Sequence, residues 1–271
     1  QIFLRGFDND HGTDISVMAD GMPVNIVSHA HGQGYADLHF VIPELIERVD
    51  FKKGPYYADK GNFTTAGWVD FRTKNVLDQN FVKVEAGQFN TYRAVGAFNL
   101  LGQKAKERNE SMYVGGEYSY SDSYFDSPQH FRRVNAVTKY NRQFSSKSQL
   151  TLTASTFWSK WNHSGQIPDR AVDSGQISFY GAIDDTEGGE TSRSNVNAQL
   201  VTQLGHGVLK NQLFYSNYNF LLFSNFTFFK EDPVNGDQIK QYENRNLWGG
   251  NTSYTIEHGN GASSNIGVDY R

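Results

Sequence analysis

Six side chains between positions 29 and 39 concentrate the coordinating and hydrogen-bonding groups of this chain: His29, His31, Gln33, Tyr35, Asp37 and His39. Imidazole and carboxylate are good ligands for zinc, copper or nickel. His29 and His31 stand two apart, so an extended backbone puts them on one face. Gly32 and Gly34 let the chain fold back toward them, and His11 sits in an earlier polar loop. Three readings stay open. The stretch could contact a substrate without coordinating metal, or His29 and His31 could be direct metal ligands, or the histidines could only hydrogen-bond within a polar loop. Direct coordination needs neutral imidazole, so affinity would fall as pH drops through about 6.5. A second cluster, Asp184, Asp185, Glu187 and Glu190, could hold calcium through oxygen or be an ordinary solvated loop. No nucleophile–base pair, phosphate loop or metallohydrolase spacing is present, so no enzyme is expected.

Composition narrows the class. The 271 residues carry a net charge of −4, which gives no basic field for nucleic acid. With no cysteine there is no disulfide framework and no thiolate metal site. Aromatics reach 14%, with 15 Tyr and 20 Phe. Mean hydropathy is −0.59, and no apolar run approaches the roughly 18 residues of a transmembrane helix. A transmembrane β-barrel keeps the same low mean, because only alternate strand residues face lipid.

The elements that position the candidate residues fall into two kinds. Up to Lys74 the strands are short and punctuated. Ile15 to Ala19 precedes an Asp20-Gly21 turn, Asn25 to His39 reads as a long loop, and Pro43 to Glu47 as a short helix with Pro in its first turn. Val49 to Lys52 and Trp68 to Thr73 are further strands. From Phe81 the period becomes two, with one apolar face and one polar but mostly uncharged face. That is the code of a membrane barrel, and roughly eight strands plus part of another fit. Leu150, Leu152, Trp158, Phe214 and Phe220 are expected to face lipid, and Thr153, Ser155, Asn217 and Asn219 the lumen. Short turns alternate with long loops, which puts the long ones outside the cell. Aromatics such as Tyr118, Trp158, Trp161 and Phe226 cluster near the long-loop ends, where they suit an interfacial girdle. The run begins at Gln1 and stops at Tyr270-Arg271 inside strand-like sequence, so it reads as an internal piece of a longer protein.

Five segments carry a resemblance. Leu4-Arg5-Gly6-Phe7, Asp20-Gly21-Met22-Pro23-Val24-Asn25, Ile46-Glu47-Arg48-Val49-Asp50, Gly54-Pro55-Tyr56-Tyr57-Ala58-Asp59-Lys60-Gly61 and Gly67-Trp68-Val69-Asp70-Phe71-Arg72-Thr73-Lys74 come in the order and spacing of the plug domain of TonB-dependent outer-membrane receptors. Trp68 and Asp70 depart from the small residue and the Asn common in that family. The resemblance implies a mostly β protein of the bacterial outer membrane. Residues 1–75 would be the C-terminal part of a small α/β plug, and residues 76–271 the first strands of a transmembrane antiparallel barrel of 22 strands. It implies TonB, outer-membrane lipid or lipopolysaccharide and a small-molecule substrate as partners, with no nucleic acid and no resident cofactor. The substrate classes implied are a ferric siderophore or other metal chelate, a metal ion or a corrinoid. Oligosaccharide uptake, a passive or structural barrel and a soluble all-β module remain as alternatives. In the resembling vitamin B12 receptors the loop after the Asp-Gly strand rises to the top of the plug. That would make His29 to His39 the apical contact. Arg5, Glu47, Arg48 and Arg72 are candidates for ion pairs between plug and wall.

Overall fold

The computed structural model describes residues 2–4, 7–9, 13–259 and 261–271. Arg5 and His11 lie outside the described residues, so their expected roles are not placed. The early strands are β1 (Ile2–Leu4), β2 (Phe7–Asn9), β3 (Ile15–Ala19), β4 (Met22–Pro23), β5 (Ile26–His29), β6 (Gly32–Tyr35), β7 (Ile46–Lys53) and β8 (Gly67–Thr73). Four of them make one sheet in the order β4-β3-β8-β7. Its centre is a parallel pair, with Ile15 opposite Gly67 and Ala19 opposite Phe71. All five residues of β3 are buried. Apolar residues at four of its five positions, with Ser16 between Ile15 and Val17, suit a strand covered on both faces.

The Asp20-Gly21 signal is a two-residue turn between β3 and β4. Both residues take positive φ, 48° and 74°, as a type I′ hairpin demands. The stretch read as a loop from Asn25 to His39 is instead a hairpin. Ile26 pairs with Tyr35 and His29 with Gly32, across a turn at Ala30-His31. Its glycines masked the strand pattern. The helical content before residue 75 is two 3₁₀ turns, Pro43–Leu45 and Ala58–Lys60, the first starting on the expected proline.

The remainder is one antiparallel sheet of nine strands in sequential order. They are β9 (Phe81–Gly87), β10 (Thr91–Asn99), β11 (Glu110–Ser121), β12 (Phe131–Ser145), β13 (Ser148–Asn162), β14 (Gly188–Leu204), β15 (Gly207–Ser224), β16 (Ile239–Glu257) and β17 (Ser263–Tyr270). The sheet is an open wall, not a closed barrel. Its inner face packs on the plug sheet, and Phe157 and Phe214 join Ile15, Val17, Val24 and Phe40 in one core.

Leu152 is 41% exposed on the outer face, and Thr153 and Ser155 turn inward beside Met22 and Asn195, as expected. On β15 the facing is the reverse of the expectation. Phe214 and Phe220 point inward and are buried, while Leu213 is 70% exposed. Asn217 and Asn219 point outward, where they bond Asn246 and each other. The alternation rule held, but its sign followed the neighbour. Where the wall meets the plug, the inward face is the apolar one. The outward Asn residues sit beyond the apolar stripe of the adjacent β14, Val196 to Leu204. At 3.3 Å per residue and a tilt of about 40°, that stripe spans roughly 20 Å along the axis of the wall.

Candidate substrate cavity and plug–wall seam

The β5/β6 hairpin leans on β15 and β16. His29 is buried, stacked on Tyr35 with ring centroids 4.6 Å apart and tilted against Phe220 at 4.3 Å. The His31 backbone N–H donates to His29 Nδ1 at 3.3 Å. An imidazole that accepts at Nδ1 carries its proton on Nε2 when neutral, and Nε2 stands 3.2 Å from the Tyr218 hydroxyl. The turn itself is clamped by β16. Ala30 N–H donates to Glu243 at 2.8 Å, Gln241 donates to the Ala30 carbonyl at 3.1 Å, and His31 Nδ1 lies 3.0 Å from Gln241 Oε1. His29 and His31 therefore do not converge as a pair of metal ligands. Among the described residues no group of three or more His, Asp or Glu is arranged to hold a metal ion.

Beside the hairpin, a cavity of about 260 Å³ opens between plug and wall, with Tyr35, Asp37 and His39 on one side. The wall supplies Gln129, Phe131, Ser159, Trp161, Thr191, Tyr218 and Phe220. Asp37 is 3% exposed. Its Oδ1 accepts the His39 backbone N–H at 2.9 Å and the ring Nδ1 at 2.7 Å. One carboxylate thus shapes the turn and aims the imidazole. Burial, then the nearby Asp37 charge, pushes the Tyr35 hydroxyl up to about 12, so it stays a neutral donor at physiological pH. Three of the six sequence candidates line this cavity. His29 supports it through Tyr35, whereas His31 and Gln33 are exposed on the hairpin. Trp161, expected in an interfacial girdle, and Phe220, expected to face lipid, line the cavity instead, because alternate aromatics fit a lipid face and a cavity lining equally well.

The seam between plug and wall is built on two other carboxylates. Asp20 accepts from Thr73 N–H at 2.9 Å and meets Lys139 Nζ at 3.1 Å. Lys139 also donates to the Thr73 carbonyl and hydroxyl, at 3.0 and 2.8 Å. The Asp20 carbonyl receives the side-chain amides of Asn197, Gln199 and Gln212. Glu44, on the first 3₁₀ turn, holds Arg93 of β10 through two bonds of 2.6 and 2.7 Å. Arg93 in turn meets Glu117, which also pairs with Arg133, each at 2.6 Å. The Arg93 hydrogen bonds hold the Glu44 carboxyl down at about 2. Arg193 of β14 is buried and donates to the carbonyls of Val24 and Pro23, at 3.0 and 3.3 Å.

The ion pairs expected between plug and wall fall elsewhere. Arg72 pairs with Asp70 at 2.7 Å and Arg48 with Asp50 at 3.2 Å, both inside the plug sheet. Glu47 is exposed. These charges lie on β7 and β8, where strand pairing puts a carboxylate closer than the wall. The acidic loop residues also have local work. Asp184 accepts from Thr186 and Asn225, Glu187 from the Asn225 N–H, and Glu190 from Trp158 Nε1. They tie loop to loop and strand to strand.

A four-stranded plug sheet is thus seated by ion pairs against the inner face of an open, nine-stranded antiparallel wall. Residues 1–68 match the family described as TonB-dependent Receptor Plug Domain. That match covers about a quarter of the chain, and the wall strands lie outside it. Among solved structures the chain superposes on the unliganded ferric citrate transporter FecA with a TM-score of 0.77 at 12% identity, covering 98% of this chain and 39% of that one. The siderophore receptor PirA of Acinetobacter baumannii gives 0.69 at 16%, covering 94% and 40%. The copper transporter OprC gives 0.67 at 16%, covering 95% and 38%. The chain thus spans about two fifths of the structures it matches. A comparison with curated protein sequences returns no match.

Proposed function

We propose that the full-length protein resides in the bacterial outer membrane and imports a scarce small molecule, energised through TonB. The observation that carries this is the cavity between Tyr35, Asp37, His39 and the inner wall. It lies where the plug hairpin meets the ends of strands that lead into the long loops. A passive pore needs no plug fastened by Asp20–Lys139 and Glu44–Arg93. Metal ions and metal complexes are the favoured substrate class, supported by matches named as copper, ferric citrate and siderophore transporters. An oligosaccharide is the second class.

The test is uptake by cells carrying the full-length receptor, with and without TonB. Uptake should vanish without TonB. Trp161→Ala and Phe131→Ala together should raise the half-saturating substrate concentration with the receptor still present in the membrane. Uptake that survives collapse of the proton-motive force would make the protein a passive pore. An unchanged half-saturation in the double variant would remove the cavity from the transport path.

A further inference from the structure

We propose that this cavity selects a ligand of net positive charge, an organic amine or a cationic metal complex, and excludes polyanionic chelates. The inference rests on the reading of the cavity as the substrate site.

Three observations converge on it. First, no Lys or Arg lines the cavity among the described residues; its charged group is Asp37. The nearest inner-wall cations are already engaged. Arg133 is held by Glu117 at 2.6 Å, Arg245 by Glu243 at 2.8 Å, and Arg193 by plug carbonyls and Asn195. A citrate- or catecholate-type anion would have to draw Arg133 or Arg245 from its carboxylate, which leaves a charge unpaired, or Arg193 from the carbonyls that hold it. Second, the lining is rich in aromatic rings, Tyr35, Phe131, Trp161, Tyr218 and Phe220. Ring faces attract cations and offer an anion nothing. Third, the connections above the cavity, residues 122–130, 163–187 and 225–238, hold ten Asp or Glu and two Lys or Arg. The rest of the chain has the opposite balance, 23 Lys or Arg to 19 Asp or Glu. The acidic side is the outer mouth. A cleft lined by one sign of charge concentrates the opposite ion and speeds its arrival.

The experiment is calorimetric binding to the full-length receptor in detergent. The probes are hexaamminecobalt(III), spermidine, ferric citrate and maltotriose, each at low and high salt. At least one cationic probe should bind, more weakly as salt rises, and which one binds separates a metal complex from an amine. Gln129→Arg adds a cation to the lining without touching the Asp37 turn. It should weaken binding about tenfold per unit of ligand charge, the effect of one charge at roughly 6 Å and an effective dielectric near 40, and so by more than tenfold for these trivalent probes. Asp37→Asn should act in the same direction. Three results overturn the proposal: no cationic probe binds, ferric citrate or maltotriose binds in their place, or cations bind Gln129→Arg as tightly as wild type, which would be adsorption to the loops. If ferric citrate or maltotriose binds and Trp161→Ala abolishes that binding, the cavity remains the substrate site and only its charge assignment falls. If Trp161→Ala leaves uptake of the native substrate untouched, the site itself is misassigned.

Discussion

Lys139→Met removes a charge while keeping the length of the side chain. Lys139 is 1% exposed and its ammonium holds Asp20 at 3.1 Å, together with the Thr73 carbonyl and hydroxyl. Breaking a buried pair from one side costs about 3–5 kcal/mol. The lower end applies, because the Asp20 side chain is 12% exposed and keeps the Thr73 N–H and hydroxyl as donors. About 3 kcal/mol is therefore expected, more than a hundredfold in the seating equilibrium of the plug. Asp20→Asn alone should cost a comparable amount, since it strands the ammonium. The double variant should recover most of the loss, leaving about 1 kcal/mol, because neither charge is then left without its partner. In a full-length receptor freed of any other cysteine, a single Ala19→Cys in the buried β3 reports on plug opening. Its labelling by a soluble thiol reagent in the full-length receptor, followed across a urea series, gives the midpoint for each variant. If Lys139→Met leaves the midpoint unchanged, or the double variant is as weak as the sum of the singles, the pair does not seat the plug.

Three further outcomes follow from the same geometry. Leu213→Arg should cost about 2–4 kcal/mol in folding into vesicles if the site lies near the bilayer midplane, while Asn217→Arg should cost near zero. Both side chains leave the same face of β15, so equal penalties in an equilibrium urea titration would refute the difference in depth between Leu213 and Asn217. Gly21→Ala should destabilise seating by about 1–2 kcal/mol in the labelling assay, because φ is +74° and the added Cβ lands 3.1 Å from Gln212 Oε1. Glu44 has its carboxyl depressed to about 2, so its stabilising contribution is complete above the unfolded value near 4.5 and is lost as pH falls through about 2. The urea midpoint of opening should therefore fall as pH drops from about 4.5, and Glu44→Gln should reduce that pH dependence.

How far the sequence could be read depended on whether the information was local. The Asp20-Gly21 turn was legible because a type I′ turn needs residues that tolerate positive φ, and the period of two marked the wall from Phe81 onward. Both are near-neighbour facts. What seats the turn is not local. Asn197, Gln199 and Gln212 lie more than 170 residues away, and only strand register brings them to one carbonyl. Phe214 and Phe220 show the other limit. An apolar residue reports that its face is dry, but not whether lipid or a plug keeps it dry. The histidine stretch meets the same limit, because the pairing of Ile26 with Tyr35 decides that Tyr35, Asp37 and His39 line the cavity while His31 meets β16. Arg48 and Arg72 were misassigned because a sheet partner two residues away on the same face competes with a wall that sequence spacing cannot see.

The fastening of the Asp20 turn has a mechanical consequence. The three amides on its carbonyl belong to β14 and β15, and the ammonium on its carboxylate to β12. A pull on the plug stretches all four attachments side by side, and no single one bears the tension until its neighbours let go. Behind the turn, β3 joins β8 through five parallel pairs from Ile15–Gly67 to Ala19–Phe71. A pull along the strand loads those pairs in shear, so they must slip together instead of unzipping one by one. Such an arrangement stays shut under a weak, sustained force and gives way at a threshold. An opening driven from the inner side of the membrane would then be a discrete event, with a rupture force set mainly by the Asp20 turn.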